Sequence, residues 1–159
     1  APYLYGGPIK DLVLGLKFGF VESLARPLVN LALRDEGFVS MIEASDALVP
    51  IPLSRMRQRQ RGFNPAVLLA NAIGRQFQIP CRHILKRRGN PTPQSTLPFS
   101  ERLKTPLDTF IATGKPSKNI LLVDDVVTSG ATLNDAGRAL ILAGAQDLRA
   151  LAIARSDPY

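Results

Sequence analysis

The stretch from Ile120 to Thr132, ILLVDDVVTSGAT, constrains the fold more than any other part of the 159-residue chain. Four consecutive apolar residues, Ile120 to Val123, are too few for an independent helix and read as a strand buried on both faces. Asp124 and Asp125 follow directly. Two adjacent carboxylates at the end of a buried strand repel each other and lose hydration, so folding alone gives little reason to place them there. A ligand with hydroxyls, or a metal, gives one. Thr128, Ser129, Gly130, Ala131 and Thr132 are small or hydroxylic, and they run into Leu133, Ala136, Leu140 and Ala143 at helical spacing. The order is strand, acidic pair, loop, helix. Gly130 permits backbone angles closed to other residues, and the N–H groups of such a loop at a helix N-terminus form a concave, partly positive site for a phosphate. Carboxylates beside a phosphate site suit a sugar phosphate. The bland alternative is a helix cap, which an acidic pair before a Gly-containing turn also provides.

Two competing phosphate motifs are absent. No Gly-Lys-Ser/Thr comes after the turn, as a Walker loop requires, and there is no G-x-G-x-x-G of dinucleotide folds. The whole string, apolar run, Asp-Asp, two apolar residues, then Thr-Ser-Gly-Ala-Thr, resembles the phosphoribosyl-pyrophosphate (PRPP) motif of type I phosphoribosyltransferases.

The length and a hydrophobic content of 45% suit one domain spanning 1–159 with a proper core. One cysteine, Cys81, excludes an intramolecular disulfide framework, and with a single histidine, His83, no protein-built metal site is expected. A reducing compartment fits. There is no apolar run near the roughly 18 residues of a membrane span and no signal-peptide order, so the expected location is cytoplasmic, away from membrane. A net charge of +7 and a pI near 10.1 imply attraction to polyanions, either nucleic acid or a phosphate-rich small substrate.

Residues 8–35 carry Ile9, Leu12, Val13, Leu16, Leu24, Leu28, Leu31 and Ala32 at three- and four-residue spacings. They predict two amphipathic helices, broken near Gly19 and separated from the next segment by Gly37. Pro27 fits a first helical turn beginning at 23–26. Lys17, late in the first helix, reads as a solvated helix-face charge. Ala47 to Ile51 predicts a core strand ended by Pro50 and Pro52. Beyond it, Arg55, Arg57, Arg59 and Arg61 recur every second residue and would share one side if extended. Clustered arginines usually mark a solvated loop, yet just past a strand end is also where doubly wound sheets place anion sites. A helix is predicted from Pro65 to about Phe77, capped by Asn64, with Val67, Leu68, Ala70, Ile73 and Phe77 inward. Strands are predicted at 82–85 and 108–112, separated by a long polar, breaker-rich segment. A helix at 132–143 stopped by Gly144 and a strand at 148–154 end the chain.

Four stretches agree with one family. LVPIPLSRMRQRQRGFNPAVLLA, RRGNPTPQSTLPFSERL, ILLVDDVVTSGATL and AGAQDLRALAIAR resemble, in that order, the ComF/GntX type of phosphoribosyltransferase-like proteins, and YGGPIKDLVLGLKF looks like that family's opening segment. Family members commonly begin with a four-cysteine zinc module, so this chain is expected to be a short form or to start after one. The resemblance implies an α/β fold of the type I phosphoribosyltransferase kind: a mainly parallel central sheet flanked by helices, an N-terminal helical hood over 8–35, and a flexible β-hairpin loop over 86–106. It implies that Asp124 and Asp125 hold the ribose hydroxyls of PRPP, and that Thr128, Ser129, Gly130, Ala131 and Thr132 wrap its 5-phosphate. Pro52, Ser54 and Arg55 would form the pyrophosphate loop, with Arg87, Arg88, Gln94 and Arg102 on the loop that closes over the site. Mg²⁺ would arrive on PRPP, and an unidentified acceptor would dock beneath the hood as pyrophosphate is released. A homodimer is admitted. The alternative is a non-catalytic PRPP or nucleotide sensor, or a DNA-uptake accessory that binds nucleic acid weakly or meets DNA-uptake proteins through its basic surface.

Overall fold

The central strand forms as expected but runs longer. In the computed structural model, which describes residues 1–19, 21–88 and 109–156, this strand spans Asn119–Val127. In chain order the described strands are β1 (Tyr3–Leu4), β2 (Ala47–Pro50), β3 (Leu85–Arg87), β4 (Phe110–Ala112), β5 (Asn119–Val127) and β6 (Asp147–Arg155). The helices are α1 (Gly7–Phe18), α2 (Ala25–Ala32), α3 (Glu36–Glu43), α4 (Arg55–Arg61), α5 (Pro65–Phe77) and α6 (Ala131–Leu142), with a 3₁₀ turn at Glu22–Leu24. A four-stranded parallel sheet has the order β1-β6-β5-β2, and β3 pairs with β4 as a separate antiparallel hairpin.

Side chains on β5 alternate between two cores, as a pleated strand with both faces covered requires. Leu121 and Val123 join Val13, Leu16, Leu28, Phe38, Leu69 and Ile73 under the helices of one face. Ile120 and Leu122 join Leu85, Phe110, Ala136 and Leu140 under α6 and the hairpin on the other. This is the flanked, mainly parallel α/β sheet expected of the type I phosphoribosyltransferase fold. The outer edge of β2 is covered by residues 80–82: the Leu48 N–H donates to the Pro80 carbonyl at 3.0 Å, and the Arg82 N–H to the Leu48 carbonyl at 2.8 Å.

Several local expectations shift. Gly37 does not separate elements; it lies inside α3, a helix that the spacing of apolar residues does not announce. That helix starts where the Asp35 side chain accepts from the Phe38 N–H at 2.7 Å, a cap that outweighs one helical glycine. Tyr3–Leu4 adds an edge strand too short to show periodicity. The arginine-rich segment is a helix rather than a loop or an extended run. Ser54 caps its start and Gly62, left-handed at φ 76, ends it, while Arg, Met and Gln are good helix formers between. The strand expected at 82–85 sits later, as β3, and the inward face of α5 is set by Ala66, Leu69, Ala70, Ile73 and Gly74 rather than by Val67 and Leu68. The expected closing loop falls outside the described residues from 89 onward.

Gly74 shows where packing overrides propensity. The chain turns sharply after α5, with Gln78 left-handed at φ 56 and the Ile79 N–H donating to the Gly74 carbonyl at 3.1 Å. A Cβ at position 74 would sit 2.6 Å from the Ile79 carbonyl oxygen. Alanine is worth about 1 kcal/mol over glycine inside a helix, but overpacking against backbone costs about 1–3 kcal/mol. The net cost of up to about 2 kcal/mol means that Gly74→Ala is expected to lower the melting temperature by up to roughly 6 °C; a rise in a thermal melt would contradict the packing described.

Candidate functional site

β2 stops pairing with β5 at Pro50 opposite Val123, while β6 continues alongside β5 to Val127. Asp124 and Asp125 thus lie on β5 just beyond the end of its shorter neighbour, at the carboxyl edge of the sheet. Their alternate directions give them different surroundings. Asp125 is buried and faces Lys17 of α1, whose Nζ lies 2.9 Å from Oδ1, with side-chain exposures of 17% and 11%. Asp124 accepts from the Asp125 backbone N–H at 2.9 Å. Burial, and then the Asp125 carboxylate, push its carboxyl up to about 7, against a weaker opposing pull from that hydrogen bond, Lys17 and Arg57.

Lys17 reaches this place because the chain leaves β1 at the same edge. The Tyr5 N–H donates to the Arg155 carbonyl at 2.7 Å, and α1 begins two residues later. Lys17 stands one turn after Val13, which is fully buried, so it belongs to the inward side of α1. The solvated-charge reading is corrected. That i, i+4 relation to the apolar stripe was the available signal.

After β5 the chain turns through Thr128, Ser129 and Gly130, the last left-handed at φ 75, into α6. Ala131 and Thr132 form the first turn of that helix. The Ala131 N–H donates weakly to the Ser129 hydroxyl at 3.4 Å, whereas the N–H groups of Thr132 and Leu133 meet no acceptor among the described residues. They remain free to bind an anion at the helix start. Carboxylate pair and N–H cradle are therefore consecutive along one strand–turn–helix.

The arginines divide between sites because α4 is helical. Arg57 and Arg61, one turn apart, face α1 across a cavity of about 600 Å³ that Tyr5, Leu14, Lys17, Phe18 and Gln60 also line. Arg55 and Arg59 turn the other way, into a groove of about 590 Å³ with Pro52, Phe63 and His83. Ser54 caps α4, accepting from the Arg57 N–H at 3.3 Å. Arg87 lies over the Phe110 ring at 5.3 Å. Burial and the nearby Arg57 push its guanidinium below the usual range, and Asp135 partly offsets them. Arg88 lines a separate cavity with Asp135 and Arg138 against α6. Gln94 and Arg102 lie outside the described residues. The structure thus gathers Asp124, Asp125, Lys17 and Arg57, and leaves Arg55 and Arg88 facing other clefts. Sequence spacing marked Arg57 and Arg61 only as members of one arginine run and read Lys17 as solvated; the structure separates that run and brings Lys17 to the acidic pair.

Two consequences are measurable. Replacing Lys17 by Met strands the buried Asp125 charge, which should lower unfolding stability in urea by roughly 2 to 4 kcal/mol at pH 7.5, and Asp125→Asn in the same chain should restore most of it. An equal loss in the double variant would mean that the pair is not the interaction being removed. Asp124 gives a pH signature. Its folded-state value of about 7 lies above the ordinary 3.8, so between these values the folded state keeps a proton that the unfolded state has lost. Stability from this group is full at low pH, falls as pH rises through that window and is flat above it. Asp124→Asn, which keeps the acceptor oxygen without the charge, should match the parent near pH 4 and exceed it at pH 8 by roughly 2 to 4 kcal/mol. A pH-independent difference between their melts would contradict this.

Known proteins resemble the chain along the same lines. Residues 64–157 match the phosphoribosyl transferase domain family. Competence protein F of Haemophilus influenzae is 31% identical over 160 residues, covering 96% of this chain and 70% of that protein. Competence protein ComFC of Bacillus subtilis is 43% identical over 99 residues, covering 61% of this chain and 39% of that protein. DNA utilization protein YhgH of Escherichia coli is 26% identical over 158 residues, covering 96% of this chain and 69% of that protein. The matched region is thus under two fifths of ComFC and about seven tenths of the other two.

Proposed function

The chain belongs to the phosphoribosyl transferase domain family, and from that premise we propose that it binds PRPP and transfers its phosphoribosyl group to an acceptor, releasing pyrophosphate. The observation that carries this reading is the unbroken sequence of carboxylate pair, left-handed Gly130 and free N–H groups at the start of α6. Asp124 accepts from the ribose hydroxyls, and Asp125, neutralised by Lys17, keeps β5 and α1 in register beside it. The turn and the first N–H groups of α6 bind the 5-phosphate. Arg57 supplies positive charge on the pyrophosphate side. PRPP brings Mg²⁺ with it as part of the substrate, since magnesium retains waters and needs few protein carboxylates.

In the transfer an acceptor lone pair forms the new bond to ribose C1 as the C1–O bond to pyrophosphate breaks. The bonding pair leaves on pyrophosphate, and the acceptor's proton passes to solvent. Positive charge grows on the ribose at the transition state, where the Asp124 carboxylate stabilises it. Positioning and fixed charge are the protein's main contributions. The loop expected to close over the site, 86–106, lies outside the described residues from 89 onward.

A second reading, a nucleotide-sensing or DNA-uptake accessory, is favoured by one observation. The outer face of α4 presents exposed Arg55 and Arg59 away from the acidic pair, beside Phe63 and exposed His83. It accords with the competence and DNA-utilization names of the relatives.

One experiment separates the two. At a hundredfold excess over its dissociation constant, PRPP with Mg²⁺ should stabilise the protein by about 2.7 kcal/mol, a melting shift of roughly 5 to 10 °C. With pooled bases, amines and aromatic acids present, pyrophosphate should then appear, and the combined Asp124→Asn and Asp125→Asn variant should release none. No shift sinks PRPP binding. A shift without pyrophosphate from any pool gives the protein to the sensing reading.

A further inference from the structure

The cavity between α1 and α4 is walled by three cations, Lys17, Arg57 and Arg61, and by no carboxylate among the described residues. Their charges are not equally committed. Lys17 is held by Asp125 at 2.9 Å. Arg57 stands close enough to Asp124 to favour its charged form. Arg61, a turn further along α4, has its guanidinium carbon 4.6 Å from the centroid of the Phe18 ring and has no ion-pair partner among the described residues. Phe18 itself is 59% exposed, so its ring remains accessible from the cavity side.

A guanidinium over an aromatic ring still carries several N–H donors that the ring does not satisfy, in a fork shaped for a carboxylate. Gln60 adds an amide with both donor and acceptor atoms, while Tyr5 and Phe18 offer ring faces to a flat ligand. A cationic amine entering here would meet like charge on both walls, and a neutral ring would leave Arg61 unpaired in a partly enclosed cleft.

We propose that this cavity receives the acceptor of the phosphoribosyl group and that the acceptor is a planar ring bearing a carboxylate, with the anion on Arg61 and the ring against Phe18. The acceptor role rests on the PRPP reading above; the preference for an acid rests on the cavity's own cations. Pyrophosphate is the other anion able to claim those cations, and the position of Arg61 separates the two. It lies a turn beyond Arg57, against Phe18, where a carboxylate on a ring packed on Phe18 would meet it.

Matched pairs that differ in charge at one group test this: nicotinate against nicotinamide, benzoate against benzamide, and orotate against uracil. Each is titrated calorimetrically with and without PRPP and Mg²⁺. The acid of each pair should bind about tenfold more tightly than its neutral partner, as expected for one charge-assisted contact. Arg61→Met, which keeps the aliphatic stem over Phe18, should erase that difference while leaving PRPP affinity within about twofold, and Arg61→Lys should retain part of it. Circular dichroism and melting of both variants check that they fold. If PRPP binds but neutral partners bind as well as acids, the proposal is wrong. It is equally wrong if Arg61→Met weakens PRPP or inorganic pyrophosphate as much as it weakens the acids. If PRPP does not bind while the acids keep their Arg61-dependent advantage, the acceptor role and the transferase reading fall together, and only an acid-binding cavity is left.

Discussion

The contact between Lys17 and Asp125 is the constraint on which the rest of the site depends. It joins the first helix of the chain to the central strand across more than a hundred residues of sequence, at 2.9 Å and largely out of water. A buried ion pair adds little net stability compared with apolar packing, because desolvation consumes most of the Coulombic gain. Its value lies in specificity. Lys17 gives the Asp125 carboxylate a partner, and the contact joins the last turn of α1 to the carboxyl end of β5.

That arrangement leaves Asp124 as the group under strain. The two adjacent carboxyls point to different sides of β5, and Lys17 pairs with Asp125. The pressure therefore falls on Asp124, which is pushed up to about 7. A protein that only needed to fold would gain by replacing it. Strain of this kind, held in place by a well-packed sheet, is characteristic of sites that bind or react, and it motivates the proposed ribose contact more strongly than the acidic doublet does alone.

The helical state of α4 has the widest consequences for function. Written as a string, Arg55, Arg57, Arg59 and Arg61 look like one basic feature. Wound between the Ser54 cap and the left-handed Gly62, they become two pairs on opposite faces. Arg57 and Arg61 join the cavity against α1, and Arg55 and Arg59 face the groove near His83. One short helix thereby separates the charge next to the acidic pair from charge available to another partner.

Sequence alone determined the elements whose signals are local. The apolar run of β5, the Asn64 cap with Pro65 opening α5, and the left-handed glycines at 130 and 144 each rest on neighbours within a few residues, and each stands in the fold where those neighbours place it. So does the acidic pair before its turn, which made the candidate site legible. Tertiary structure decided the features that depend on distant parts of the chain. Burial of Lys17 results from the departure of β1 at the carboxyl edge of β6, and the upward shift at Asp124 from its burial in the folded chain beside the Asp125 carboxylate. α3 is hidden in the sequence because its cap outweighs a glycine that reads as a breaker. Local propensity and periodicity record what each segment prefers; which charges meet, and which are left unpaired, is fixed only when strands of unequal length pack side by side and helices close over their ends.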